Sequence, residues 1–229
     1  MNVVHLTDSP FFGGPERQML GLAISLPPSI RTTILCFRDG GTAQPFVDRL
    51  RANGVEARMI AHANPNFVRM IGDVVRELEA ERANVLVCHG YKADVLGWIA
   101  ARRAGIPVIA VSRGWTAHTR KVRVNEAIDR RFLRHMDAVV CVSEGQAEKV
   151  RRAGVPAKRV HVIHNSIDTS RFAVVDPRGR ETLQSLFPAG REHIVVGVGR
   201  LSPEKGFEQL IEAARLVVRE QPSTGFVLL

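Results

Sequence analysis

Residues 85–111 read VLVCHGYKADVLGWIAARRAGIPVIAV, and this stretch decides the fold. It opens on an apolar run at 84–88, passes through a helical stretch at 93–104, and returns to a second apolar run at 107–111. Gly105 is a natural helix stop, and Pro107 lies just beyond it. Strand, helix and strand at this spacing predict parallel pairing through a right-handed crossover.

The same alternation repeats on both sides. Further strands are expected at 2–6, 32–37, 55–60, 138–142 and 159–163. Between them, a helix at 16–26 follows Pro15, a residue suited to the first helical position. A helix at 44–53 ends at Gly54, and one at 146–153 ends at Gly154 with Pro156 after it. Residues 67–82 place Phe67, Val68, Ile71, Val74, Val75 and Leu78 on one face at helical spacing. The expectation is an α/β domain with a doubly wound parallel sheet over residues 1–165, a normal single-domain size.

The texture then changes. Residues 166–192 carry Pro177, Gly179, Pro188 and Gly190 among polar residues, and read as a linker with one short helix near 181–187. A strand at 193–198, a helix at 206–220 and a strand beginning at 225 make one unit of a second sheet. A lone unit cannot bury both faces of a sheet, so 193–229 is expected to be the incomplete start of a second domain.

Composition fits this picture. The chain has 229 residues, 45% hydrophobic and only 6% aromatic, so its core rests on Val, Leu, Ile and Ala, as suits a buried parallel sheet. Cys36, Cys88 and Cys141 lie in or beside apolar runs and read as buried reduced thiols. With no basic leader and no apolar run long enough to cross a bilayer, a cytoplasmic protein is expected. The net charge of +9 is concentrated between residues 102 and 135, which hold nine Arg or Lys and two acids, Glu126 and Asp129. That field suits an anionic partner (a nucleotide, a phospholipid surface or nucleic acid), although a solvated helix face explains it equally. Within it, a helix at 120–134 sets Arg120, Arg123, Arg130, Arg131 and Arg134 on one side and Val124, Ile128 and Phe132 on another.

Two loops carry candidate chemistry. Gly13-Gly14-Pro15-Glu16 follows the first strand and opens the first helix, where glycines let a phosphate approach backbone N–H groups at a helix N-terminus. Residues 197–206, GVGRLSPEKG, end the first strand of the second unit. A dinucleotide fingerprint fails there because Ser202 occupies the third glycine position. Arg200 and Lys205, a planar donor fork and a compact charge on one loop, can instead neutralise a diphosphate leaving group without a metal.

Four segments (13–27, 85–114, 137–168 and 194–214) resemble, in order and spacing, the retaining glycosyltransferases of family four, which have the two-domain Rossmann-like GT-B fold. The resemblance implies transfer of a sugar from a nucleotide-sugar donor to the hydroxyl of a glycan or lipid-linked acceptor, with no metal and no cofactor. It implies that Gly13 and Gly14 approach the donor phosphate, and that Arg200 and Lys205 are the catalytic residues that grip its diphosphate. Asn165 matches the signature closing the first domain, with Ser166 in place of the usual glycine. His89 is placed at a strand end facing the cleft. Where many members carry a histidine near the transferred sugar, this sequence has Arg113, and His118 is a nearby substitute. The family's pair of glutamates lies beyond residue 229, so the chain is expected to be truncated and inactive alone. The basic helix at 120–134 implies peripheral contact with an anionic membrane at its inner face. Two other classes stand beside this reading: a non-catalytic fragment or interaction domain, and a nucleic-acid binder, which lacks any recognisable module and for which no nucleic acid partner is expected.

Overall fold

The computed structural model describes residues 1–8, 12–38, 43–115, 119–174 and 176–229. It divides into two compact units, Met1–Ile167 and Asp168–Leu229.

In the first unit, strands β1 (Asn2–Thr7), β2 (Arg31–Cys36), β3 (Glu56–Met59), β4 (Val85–His89), β5 (Val108–Ser112), β6 (Ala138–Cys141) and β7 (Val160–Val162) form one parallel sheet. Its order is β3-β2-β1-β4-β5-β6-β7, so the doubly wound α/β sheet expected from the sequence is the observed fold. Helices α1 (Gly14–Ser25), α2 (Gln44–Ala52), α3 (Phe67–Ala80), α4 (Tyr91–Ala104), α5 (Arg120–Leu133) and α6 (Glu144–Arg152) alternate with the strands. Two hydrophobic clusters result. One joins Met70, Val74 and Leu78 of α3 and Leu96 and Ala100 of α4 to Val4, Leu6, Leu86 and Cys88 of the sheet. The other joins Met19 of α1 and Phe46, Val47 and Leu50 of α2 to Ile34, Cys36 and Ala57. The three cysteines are free and buried, and burial pushes the thiol of Cys36 up to about 12 and that of Cys141 up to about 11.

Gly97 sets how closely α4 lies on the sheet. A Cβ there would run into the sulfur of Cys88 and lie 3.2 Å from Leu6 and from Leu86. Gly97→Val is therefore expected to destabilise the first unit by about 1–3 kcal/mol, the range for overpacking a filled core. A lowered urea midpoint with an unchanged m-value checks this, and an unchanged midpoint contradicts it.

Helix α5 corrects one expectation. Val124 and Ile128, placed by the sequence pattern on an apolar face, are 58% and 45% exposed, while Glu126 and Asp129 are 0% and 3% exposed. The buried acids are held by neighbours: Glu126 accepts from Tyr91 and from Arg130, each at 3.5 Å, and Asp129 accepts from the indole N–H of Trp115 at 3.0 Å. Only Phe132, packed on the core beside buried Leu133, keeps its expected place.

The second unit contains α7 (Pro177–Gln184), β8 (His193–Gly197), α8 (Phe207–Glu220) and β9 (Thr224–Leu228), with β8 and β9 paired in parallel. Helix α7 begins earlier than the pattern places it, because the Asp176 side chain caps it by accepting from the Arg178 N–H, and Pro177 follows at the first helical position. Ile211 and Leu216 of α8 are more than half exposed.

Candidate functional site

The strand order of the first unit reverses between β1 and β4, and in open α/β sheets ligands bind outside the carboxyl ends of the strands at such a point. A pocket of about 380 Å³ lies there. Thr7 and Asp8 line it from the end of β1, Pro15 and Glu16 from the start of α1, and His89 to Tyr91 from the end of β4. Ser112 to Trp115 line it from the end of β5, with Asp94 of α4 and Asp129 of α5. Gly90 makes the turn from β4 into α4 at φ +100°, and a Cβ there would strike the carboxylate of Asp8. Both facts require glycine.

His89 and Arg113 meet here. The Arg113 guanidinium donates to His89 Nδ1 at 2.9 Å, and His89 Nε2 lies 2.8 Å from Nδ1 of His5, whose ring stacks on it at 5.1 Å. Arginine cannot accept, so His89 Nδ1 holds a lone pair and its proton sits on Nε2, which donates to His5. His5 is then protonated on Nε2. Burial, with the Arg113 charge, pulls the imidazole of His5 down to about 4. Burial pushes His89 well below the usual histidine range, and His5 and Arg113 add to this. Both rings are neutral, and neither offers a free lone pair, so this pair supplies no general base.

Asp94 and Asp129 face each other across the pocket wall. Both are 3% exposed and hydrogen-bonded to each other. Burial raises both carboxyls, Asp94 well above the usual range with the Asp129 charge as the next cause. Asp94 keeps a proton and donates it to Asp129. One oxygen of each, Oδ1, has no hydrogen-bond partner.

The other predicted residues lie as follows. Gly13 caps α1 and its N–H donates to the Glu16 carboxylate at 2.7 Å. Gly14 opens the helix, and a Cβ there would meet nothing within 4 Å. Asn165 is exposed and is not among the pocket residues, although the next residue, Ser166, exchanges hydrogen bonds of 2.8 and 3.3 Å with Gln18 of α1. His118 lies outside the described residues. In the second unit, Arg200 and Lys205 are both exposed on the loop between β8 and α8, whose last residues form a 3-10 turn, Pro203–Lys205. The side chain of Lys205 lies over Gly199. Among the described residues no group of three His, Cys, Asp or Glu is placed to hold a metal ion, and no helix is long and apolar enough to cross a membrane.

Sequence reasoning missed Asp8, Glu16, Tyr91, Asp94, Trp115 and Asp129. One signal was present: Glu126 and Asp129 are the two acids in a stretch of nine bases, three residues apart on one helix.

Fold and pocket together define a Rossmann-like α/β protein with a cavity at its switch point. The profile of Glycosyltransferase Family 4 matches residues 12–171, and the chain belongs to that family. It is 29% identical over 177 residues to the alpha-maltose-1-phosphate synthase of Mycolicibacterium smegmatis, covering 72% of this chain and 45% of that protein. It is 30% identical over 193 residues to a GDP-mannose-dependent alpha-(1-6)-phosphatidylinositol monomannoside mannosyltransferase of Mycobacterium tuberculosis, covering 81% of this chain and 49% of that one. The chain thus spans about half the length of these relatives. Anabaena HepE in complex with UDP-glucose has the same fold, with a TM-score of 0.80 at 21% identity over 100% of this chain and 60% of that one.

Proposed function

We propose that the protein transfers a sugar from a nucleotide-sugar to an acceptor hydroxyl, with retention of anomeric configuration. Residues 1–165 form the acceptor-side domain, 166–192 the connection, and 193–229 belong to the donor-binding domain. The observation that carries this reading is the pocket at the switch point of a family-four chain, beside the glycine turn at the start of α1. Relatives named for nucleotide-sugar donors and a neighbour holding UDP-glucose support the donor class.

Arg200 and Lys205 hold the diphosphate and stabilise its charge as the glycosidic bond breaks. The Gly13 N–H is engaged by Glu16, so donor approach on this side uses the space beside Gly14. The acceptor is a glycan or a lipid-linked sugar. Exposed Val124 and Ile128, beside exposed Arg120, Arg123 and Arg131, support peripheral contact of a cytoplasmic protein with an anionic membrane surface.

Incubation with a panel of nucleotide-sugars and glycan or lipid-linked acceptors, with NMR of the product anomer, tests the reading. Donor hydrolysis or epimerisation with no transferred sugar would sink it. Gly14→Ala supplies a finer test. The substitution meets open space at a helix start, so stability is expected to hold or rise by up to about 1 kcal/mol. The donor KM is expected to rise several-fold. A variant with a lower melting temperature and an unchanged donor KM contradicts both halves.

A further inference from the structure

We infer that Gln18 is a positioning residue for donor binding: its carboxamide clasps the backbone of Ser166 and fixes where the chain leaves the first unit, on the helix that opens with the glycine turn. The inference rests on the transferase reading above, which gives that turn its part in donor approach.

Three observations carry it. The first is the clasp itself. Gln18 Nε2 donates to the Ser166 carbonyl at 2.8 Å, and the Ser166 N–H donates to Gln18 Oε1 at 3.3 Å. One side-chain amide thus answers both backbone groups of a residue 148 positions away. A carboxamide suits this task because it carries a donor and an acceptor on one plane.

The second is the path of the chain. β7 is the edge strand of its sheet, four strands from β1, or about 19 Å at the usual spacing. Just beyond β7, the Ile163 N–H donates to the Cys141 carbonyl at 3.0 Å, and His164 Nδ1 lies 3.2 Å from the Val142 carbonyl. Both carbonyls stand at the carboxyl end of β6 or one residue past it. Two residues later Ser166 is bonded to α1, whose Met19 packs on Ile34 and Cys36 of β2. The chain therefore does not leave from the edge strand. It turns back to the helix that carries Gly14, and Gln18 stands one turn after Gly14.

The third is what else holds this stretch. Ile163 and Ile167 are 62% and 66% exposed, so apolar packing does not fix the last residues of the first unit. Polar bonds to the end of β6 and to α1 do. The start of α1 is tied in turn by the Glu16 carboxylate, which accepts from the Gly13 N–H at 2.7 Å. Glycine turn and chain exit are thus fastened to the same first turns of one helix. Gln18 belongs to neither hydrophobic cluster, so losing the clasp loosens the exit and leaves the core intact.

Gln18→Met tests this, because it keeps the length and helix preference of the side chain and removes both bonds. Its melting temperature is expected to change little. The Ser166 amide is expected to exchange about fivefold faster, since its protection lasts only while the clasp is closed. UDP-glucose and GDP-mannose are titrated into both proteins and followed by NMR. The nucleotide-sugar that binds the wild type is expected to bind the variant several-fold more weakly, a loss that a purely structural contact would not produce at an unchanged melting temperature. Gln18→Ala removes the same bonds and carries the comparison if Gln18→Met does not fold. Unchanged exchange at Ser166 overturns the clasp. Unchanged affinity for a nucleotide-sugar that the wild type binds overturns the positioning role and leaves the transferase reading standing. A wild type that binds neither nucleotide-sugar counts against the transferase reading and removes the donor role with it, while exchange at Ser166 still decides the clasp.

Discussion

Arg200→Ala is expected to lower the rate of sugar transfer by about 10²- to 10³-fold, the range for removing one preorganised donor from a developing anion. The loop after β8 places Arg200 and Lys205 where a parallel sheet presents its ligands, at the carboxyl end of a strand and ahead of the next helix. As the bond from sugar to diphosphate breaks, negative charge grows on the leaving oxygen. A guanidinium already oriented there stabilises the transition state more than the ground state, so the loss falls mainly on kcat. Arg200→Lys is expected to recover only part of the rate, because an ammonium cannot make the two parallel bonds of a planar fork. Lys205→Ala is expected to show a similar loss, and the double variant less than the product of the two. Steady-state kinetics with saturating acceptor separate these outcomes. Wild-type turnover in Arg200→Ala would remove the loop from the catalytic proposal.

The sheet was legible because its central strands are buried on both faces. Residues 85–88 and 108–111 spell that burial as unbroken apolar runs, and helices along the chain stop at residues such as Gly105 and Gly154, at φ +68° and +93°. The pocket was legible in part. His89 and Arg113 each stand at a strand end, which is enough to nominate them. That they bond to one another, and that His5 from the middle of β1 completes the chain, depends on the register of three strands that no local pattern encodes. Asp94 and Asp129 were invisible for a related reason. Each is an acid on an amphipathic helix, and amphipathic patterning assigns carboxyls to water. Here the pair answers itself across two helices, so burial that would be prohibitive for either alone becomes tolerable. The same effect inverted α5, whose apolar Val124 and Ile128 face outward because its acids face in.

The buried histidine pair gives the second large effect, on stability. Lowering the pH from about 6.5 to about 4 is expected to cost the fold about 3 kcal/mol through His5 alone. In the unfolded chain His5 takes a proton near its ordinary value of 6.5, whereas in the folded chain it stays neutral until about 4. Between those values the unfolded state binds more protons, so acid draws the equilibrium toward it. Above 6.5 the two states bind alike and the contribution is flat. His89 has the same sign, since its folded value is also depressed. Asp94 and Asp129 have the opposite sign: their raised values let the folded state take up protons first as the pH falls, which stabilises it. A single melting curve therefore mixes both, and the comparison needed is with His5→Asn. Asparagine can place its side-chain oxygen near Nδ1 of His5 and accept from His89, but it does not titrate. Urea unfolding of both proteins across about pH 7 to 4 should give curves that start close together and diverge by about 3 kcal/mol, the wild type falling faster. Parallel curves would show that His5 accepts its proton in the folded chain as readily as in the unfolded one. The neutral chain from His5 through His89 to Arg113 would then be wrong, and with it the fixed donor that the pocket presents.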